Sequence, residues 1–87
     1  MTLNCIIIDD EPLAAELLAS YARKTLFLNL IGVFNSAVEG IKVIRANRVD
    51  LIFLDIQMPE LSGLEFAKIL PKETKIIFTT AFSQYAV

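Results

Sequence analysis

Four short apolar runs alternate with helix-patterned stretches, and this alternation constrains the fold more than any other feature. The first run, Leu3 to Ile8, is rich in β-branched residues and stops at Asp9, Asp10 and Glu11. It reads as a strand buried on both faces. Pro12 suits the first turn of a helix, and Asp10 or Glu11 can cap it. Leu13, Leu17, Leu18 and Tyr21 recur at helical spacing opposite Glu16, Arg23 and Lys24, which predicts a helix over 12–24. A second strand is expected over 27–34, interrupted by Asn29 and Gly32. Ser36-Ala37-Val38-Glu39 is a capping-box pattern. The helix it starts has Val38, Ile41 and Ile44 on one face and ends near Asn47. Leu51 to Leu54 is a third buried strand ending at Asp55. Ser62 caps a third helix through Leu70, with Leu64, Ala67 and Leu70 on one face and Pro71 as its stop. The fourth strand runs from Lys75 to Thr80, and residues 83–87 begin a fourth helix. The order β-α-β-α-β-α-β implies an α/β fold with a parallel sheet, helices on both faces and right-handed crossovers.

The 87 residues fit one domain. With 55% hydrophobic residues and a mean hydropathy of +0.59, the chain does not have the composition of a disordered segment. The net charge is -2 and no basic stripe is present, so this segment has no electrostatic means of gripping nucleic acid. Cys5 is the single cysteine, which rules out an internal disulfide and makes it a small core side chain. No basic residue precedes the first apolar run, as a secretory signal would require. No stretch approaches the roughly 20 apolar residues that span a membrane. A cytoplasmic location is expected.

The chemistry gathers at strand ends. Asp9 and Asp10 follow the first strand, Asp55 closes the third, and Thr79 and Thr80 close the fourth. Open parallel sheets build their sites at the carboxyl ends of strands. Taken singly, these acids are ordinary helix caps and turn residues. Brought together, three carboxylates repel unless one takes a proton or a cation sits among them. A hard divalent cation such as Mg²⁺ suits oxygen ligands of this kind.

The spacing of these groups resembles a known family. Asp-Asp-Glu-Pro at 9–12, Asp-Ile-Gln-Met-Pro-Glu-Leu-Ser-Gly at 55–63 and Thr-Ala at 80–81 resemble the response regulator receiver (CheY-like) family. Ile-Asp-Asp-Glu-Pro-Leu-Ala, Ile-Ile-Phe-Thr-Thr-Ala-Phe and Tyr-Ala-Val are similar in texture to receivers of LytTR-type regulators. The resemblance implies a flavodoxin-like, doubly wound sheet with strand order 2-1-3-4. It makes Asp55 the phospho-acceptor. It gives Mg²⁺ (or Mn²⁺) to Asp10, Asp55 and the backbone carbonyl of Gln57, with Asp9 acting through water. Thr80 becomes the hydroxyl that hydrogen-bonds the phosphoryl group, and Ala81 the small residue beside it. Pro59 and Gly63 shape the loop after the acceptor. The implied partners are a sensor histidine kinase and a C-terminal, LytTR-type DNA-binding output domain. The implied catalysis is limited to the chain's own phosphorylation and dephosphorylation.

The family pattern continues past Val87, with a lysine after a fifth strand, an aromatic switch residue and a last helix. Residues 1–87 therefore read as an incomplete receiver domain. Lys75 begins the fourth strand, at the wrong end to replace that lysine. The fourth strand is then an open, apolar, Pro-free edge, and a homodimer or strand-exchanged oligomer is expected. Other classes fit less well. Haloacid-dehalogenase-like enzymes need a second aspartate two positions after the first, and Gln57 stands there. Nucleotide binding lacks a glycine-rich loop, since the glycines are Gly32, Gly40 and Gly63. A phosphorylation-independent interaction module remains the alternative.

Overall fold

The apolar run that stops at Asp9 becomes the centre of the sheet. In the computed structural model, which describes residues 1–56 and 63–79, β1 (Leu3–Ile8) lies between β2 (Leu28–Phe34) and β3 (Leu51–Asp55). β4 (Lys75–Thr79) flanks β3, all three pairings are parallel, and the order is β2-β1-β3-β4. This is the CheY-like order that the resemblance implies. The sheet is crossed by α1 (Pro12–Lys24), α2 (Ala37–Ala46) and α3 (Gly63–Lys68). Cys5, Ile6, Ile7 and Ile8 are fully buried, as a central strand covered on both faces requires. The expected caps, pairings and contacts of Gln57, Pro59, Ser62, Thr80, Ala81 and residues 83–87, and the side chain of Leu64, lie outside the described residues.

Alternation along the strands sends side chains to two cores. Ile6, Ile8, Ile52 and Leu54 pack with Ala37 and Ile44 of α2 and Phe66 of α3. Ile7 packs with Ala15 and Ala19 of α1, joined by Leu18, Leu30 and Phe53. Helices therefore cover both faces, and each strand's carboxyl end opens between them. The opposite end is closed by a polar strap. The Asn4 backbone N–H donates to Asp50 Oδ2 at 2.8 Å. The Asn4 amide donates to the Arg48 carbonyl at 3.0 Å and accepts from Asn29 Nδ2 at 3.0 Å. That backbone N–H, with Arg48 beside it, holds the Asp50 carboxyl below the usual carboxylate range.

The helix ends follow local chemistry. Glu11 caps α1 by accepting from the Leu13 N–H at 3.1 Å, and Arg23 and Lys24 complement the dipole in its last turn. Ser36 caps α2 by accepting from the Glu39 N–H at 3.3 Å, as the capping-box pattern predicts, and Asn47 ends it.

Three expectations about helix faces and ends need correction. The face of α1 that meets the sheet is Ala15, Ala19 and Ala22; Leu13, Leu17 and Tyr21 are 80%, 55% and 59% exposed. Leu18 of the expected stripe does pack against this core with Ile7, Leu30 and Phe53, while the small alanines let α1 lie close to the sheet. In α2 the buried positions are Ala37, Gly40 and Ile44, Ile41 is half-buried, and Val38 is exposed. A Cβ on Gly40 would strike the Ile8 side chain, so glycine sets how closely α2 approaches β1. Finally, α3 stops at Lys68, not Leu70, and buries Phe66 while Ala67 is exposed. Pro71 disfavours helical backbone at Leu70. The last turn tightens, with Ile69 N–H donating to the Phe66 carbonyl at 3.2 Å and Leu70 N–H to the Ala67 carbonyl at 3.4 Å. The second strand begins at Leu28, one residue later than expected. Opposite the Cys5–Ile6 step the register slips by one residue, which leaves Ile31 as a bulge.

Candidate functional site

The parallel ladder brings three strand ends to one place. β1 ends at Ile8, so Asp9 and Asp10 are the first residues beyond its last ladder pair. The Asp9 N–H donates to the Phe34 carbonyl at 2.9 Å, which anchors the loop to β2. Asp55 is the last residue of β3 and pairs in register with Thr79 of β4, and the Ile56 N–H donates to the Thr79 carbonyl at 2.9 Å. Asp9, Asp10 and Asp55 each offer a carboxylate oxygen, and these oxygens lie within 4.8 Å of one another. The gathering of three acids expected from the strand ends is therefore what the fold produces.

The three carboxylates sit in different surroundings. Asp9 is 3% exposed and Asp55 4%, whereas Asp10 is exposed at the mouth. The Asp9 carboxylate accepts from the Glu11 N–H at 2.9 Å. Even so, its pKa is raised from an ordinary 3.8 to about 6. Burial is the main cause, opposed by the Glu11 N–H and reinforced by the charge and hydrogen bond of Asp55 and the charge of Asp10. Near neutral pH the site therefore holds more negative charge than its surroundings stabilise. The donors are all hard carboxylate oxygens, and the chain has no histidine. Their number, spacing and softness fit a small divalent cation of the Mg²⁺ or Mn²⁺ type.

Asp10 also borders a cleft of about 370 Å³ between α1 and α2, where Glu16, Glu39, Val33 and Phe34 line the wall. Glu16 and Glu39 were legible in the sequence only as solvent-facing or capping acids. Their convergence depends on the packing of two helices. Gln57, Thr80 and Ala81, which the resemblance adds to the site, lie outside the described residues.

Comparison with known proteins gives a consistent result. A family model described as "Response regulator receiver domain" matches residues 5–87. The transcriptional regulatory protein BtsR of Escherichia coli (strain K12) is 42% identical over 87 residues, covering 98% of this chain and 36% of the relative. The chain thus spans little more than a third of the length of that relative. Among solved structures, the response regulatory domain of protein mrkE from Klebsiella pneumoniae superposes with a TM-score of 0.79 at 31% identity. That match covers 97% of this chain and 71% of the other. The isolated REC domain of RcsB from Salmonella enterica serovar Typhimurium, solved in the presence of phosphomimetic BeF3-, shares the fold with a TM-score of 0.83 at 20% identity. It covers 94% of this chain and 64% of that one. No helix among the described residues is long and apolar enough to cross a membrane.

Proposed function

Since the chain belongs to the response regulator receiver domain family, we propose that it accepts a phosphoryl group on Asp55 from a phosphohistidine of a sensor histidine kinase. The observation that carries this reading is the cluster of Asp9, Asp10 and Asp55, two of them buried, with carboxylate oxygens within 4.8 Å of one another. A buried carboxylate at a strand end, beside two others, is poorly explained as a helix cap. In the transfer, an Asp55 oxygen attacks phosphorus, the phosphorus–nitrogen bond breaks, and the imidazole leaves. Asp10, Asp55 and the Gln57 carbonyl would hold Mg²⁺ (or Mn²⁺), with Asp9 acting through water. When bound, the ion supplies positive charge against the phosphoryl oxygens and the three carboxylates. Asp55 presents the nucleophilic oxygen from the last residue of β3, where it pairs with Thr79. Asp9 accepts from the Glu11 N–H at 2.9 Å, which orients its carboxylate in the cluster with Asp10 and Asp55. Thr80 would donate its hydroxyl to a phosphoryl oxygen, and Ala81 would leave room for it.

On this reading the chain is not an enzyme acting on other molecules. It acts in the cytoplasm and passes its state to a DNA-binding output domain. The relatives' names support transcriptional regulation; the LytTR type rests on the texture of the sequence around Asp9 and Thr80. A second reading, a phosphorylation-independent interaction module, is favoured by one observation. β4 is the outer strand among the described residues, and Ile77 and Phe78 on it are exposed. A homodimer or strand-exchanged oligomer through this edge would show in sedimentation, and a strictly monomeric chain would count against it. Fluorine NMR of a beryllofluoride titration in Mg²⁺ separates the two readings. A receiver gives a bound signal that Asp55→Asn abolishes; an interaction module gives none.

A further inference from the structure

The row of residues at the top of the sheet has a third strand in it. Ile8 pairs with Leu54, so the next step along the ladder puts Asp9 beside Asp55, and Asp55 pairs in turn with Thr79. Paired residues of parallel strands share a face, and alternate residues change face. Ile52, Leu54 and Ile76 belong to the α2 and α3 core, whereas Phe53 belongs to the α1 core. Asp55 and Thr79 therefore project to the α1 face together, on strands about 4.8 Å apart. The Thr79 hydroxyl is buried and has no hydrogen-bond partner among the described residues. This contrasts with two other threonines: Thr25 donates its hydroxyl to the Tyr21 carbonyl at 2.8 Å, and Thr74 to the Val49 carbonyl at 2.7 Å.

A buried hydroxyl left unpaired destabilises the chain, and valine would fill the same space without that penalty. A buried hydroxyl with no partner among the described residues, on the residue that pairs with Asp55, is suited to a group that arrives there. We propose that Thr79 is a second phosphoryl-binding hydroxyl, which donates to an oxygen of the group carried on Asp55. This inference rests on the phospho-acceptor reading of Asp55. It assigns Thr79 a role distinct from that of Thr80.

The test compares the wild-type chain with Thr79→Val and Thr79→Ser. Two quantities are measured: affinity for beryllofluoride in Mg²⁺, by fluorine NMR, and the melting temperature without either. Loss of a hydrogen bond to a charged oxygen should weaken beryllofluoride binding by about tenfold or more in Thr79→Val. Thr79→Ser should recover most of that affinity. The unliganded Thr79→Val chain should melt at or above the wild-type temperature, because its unpaired hydroxyl is gone. A merely structural threonine would move melting and binding down together. Wild-type affinity in Thr79→Val, no recovery in Thr79→Ser, or a lower melting temperature in Thr79→Val would each overturn the assignment. Failure of the wild-type chain to bind beryllofluoride would instead overturn the reading of Asp55 beneath it.

Discussion

Replacing Asp9 with Asn should stabilise the metal-free protein, and the effect should depend on pH in a specific direction. Folded Asp9 keeps its proton up to about 6, against an ordinary 3.8 for an unconstrained aspartate. Between these values the folded chain binds more protons than the unfolded chain. Its stability therefore falls as pH rises through this window, and the full penalty is present above it. That difference corresponds to about 3 kcal/mol at neutral pH. Asn removes the charge and keeps an oxygen that can accept from the Glu11 N–H, now 2.9 Å from the Asp9 carboxylate. The 3 kcal/mol is a ceiling, since a buried amide still loses some hydration. For a domain of this size even part of it raises the melting temperature by several degrees. Denaturant titrations of both proteins in EDTA, from pH 4 to pH 8, give the difference directly. The advantage of Asp9→Asn should be small at pH 4, grow through pH 6 and level off above it. A difference independent of pH, or a variant less stable than wild type at pH 7.5, would refute the account of Asp9 as a carboxylate disfavoured by burial and by its acidic neighbours.

Other predictions concern the packing that delivers the acids to one point. Gly40→Ala gains helix propensity, but its methyl group meets Ile8; a net loss of about 1–2 kcal/mol is expected from the urea midpoint, with an unchanged slope. Leu17→Ala should change stability by no more than about 0.5 kcal/mol, since Leu17 is exposed. Ala19→Leu should cost about 1–3 kcal/mol, since Ala19 is buried against the sheet. The reverse ranking of these two variants would restore the leucine face of α1.

The strands were legible because each apolar run is cut short by charge, hydroxyl or proline chemistry. Asp9 after Ile8 and Asp55 after Leu54 mark strand ends without any knowledge of the fold, and the convergence of those ends follows from parallel pairing. Helix faces were less legible. Ala15, Ala19, Ala22 and Gly40 decide how α1 and α2 meet the sheet, but small side chains are faint beside Leu13, Leu17 and Tyr21 in any hydrophobic pattern. The early end of α3 depends on Pro71 acting backwards on Leu70, which competes with an apolar spacing that runs on. The cleft wall of Glu16 and Glu39, like the Thr79 hydroxyl that has no partner among the described residues, arises from tertiary placement. The two belong to residue types whose ordinary reading is a solvated face or a strand former.

The most direct test of Asp55 as acceptor is to incubate the chain with acetyl phosphate, with and without Mg²⁺, and map any added phosphoryl group by mass spectrometry. The expected result is a single phosphoryl group on the peptide containing Asp55. It should require Mg²⁺ and disappear in Asp55→Asn. Full phosphorylation of Asp55→Asn, or modification at Asp55 that proceeds equally in EDTA, would contradict it.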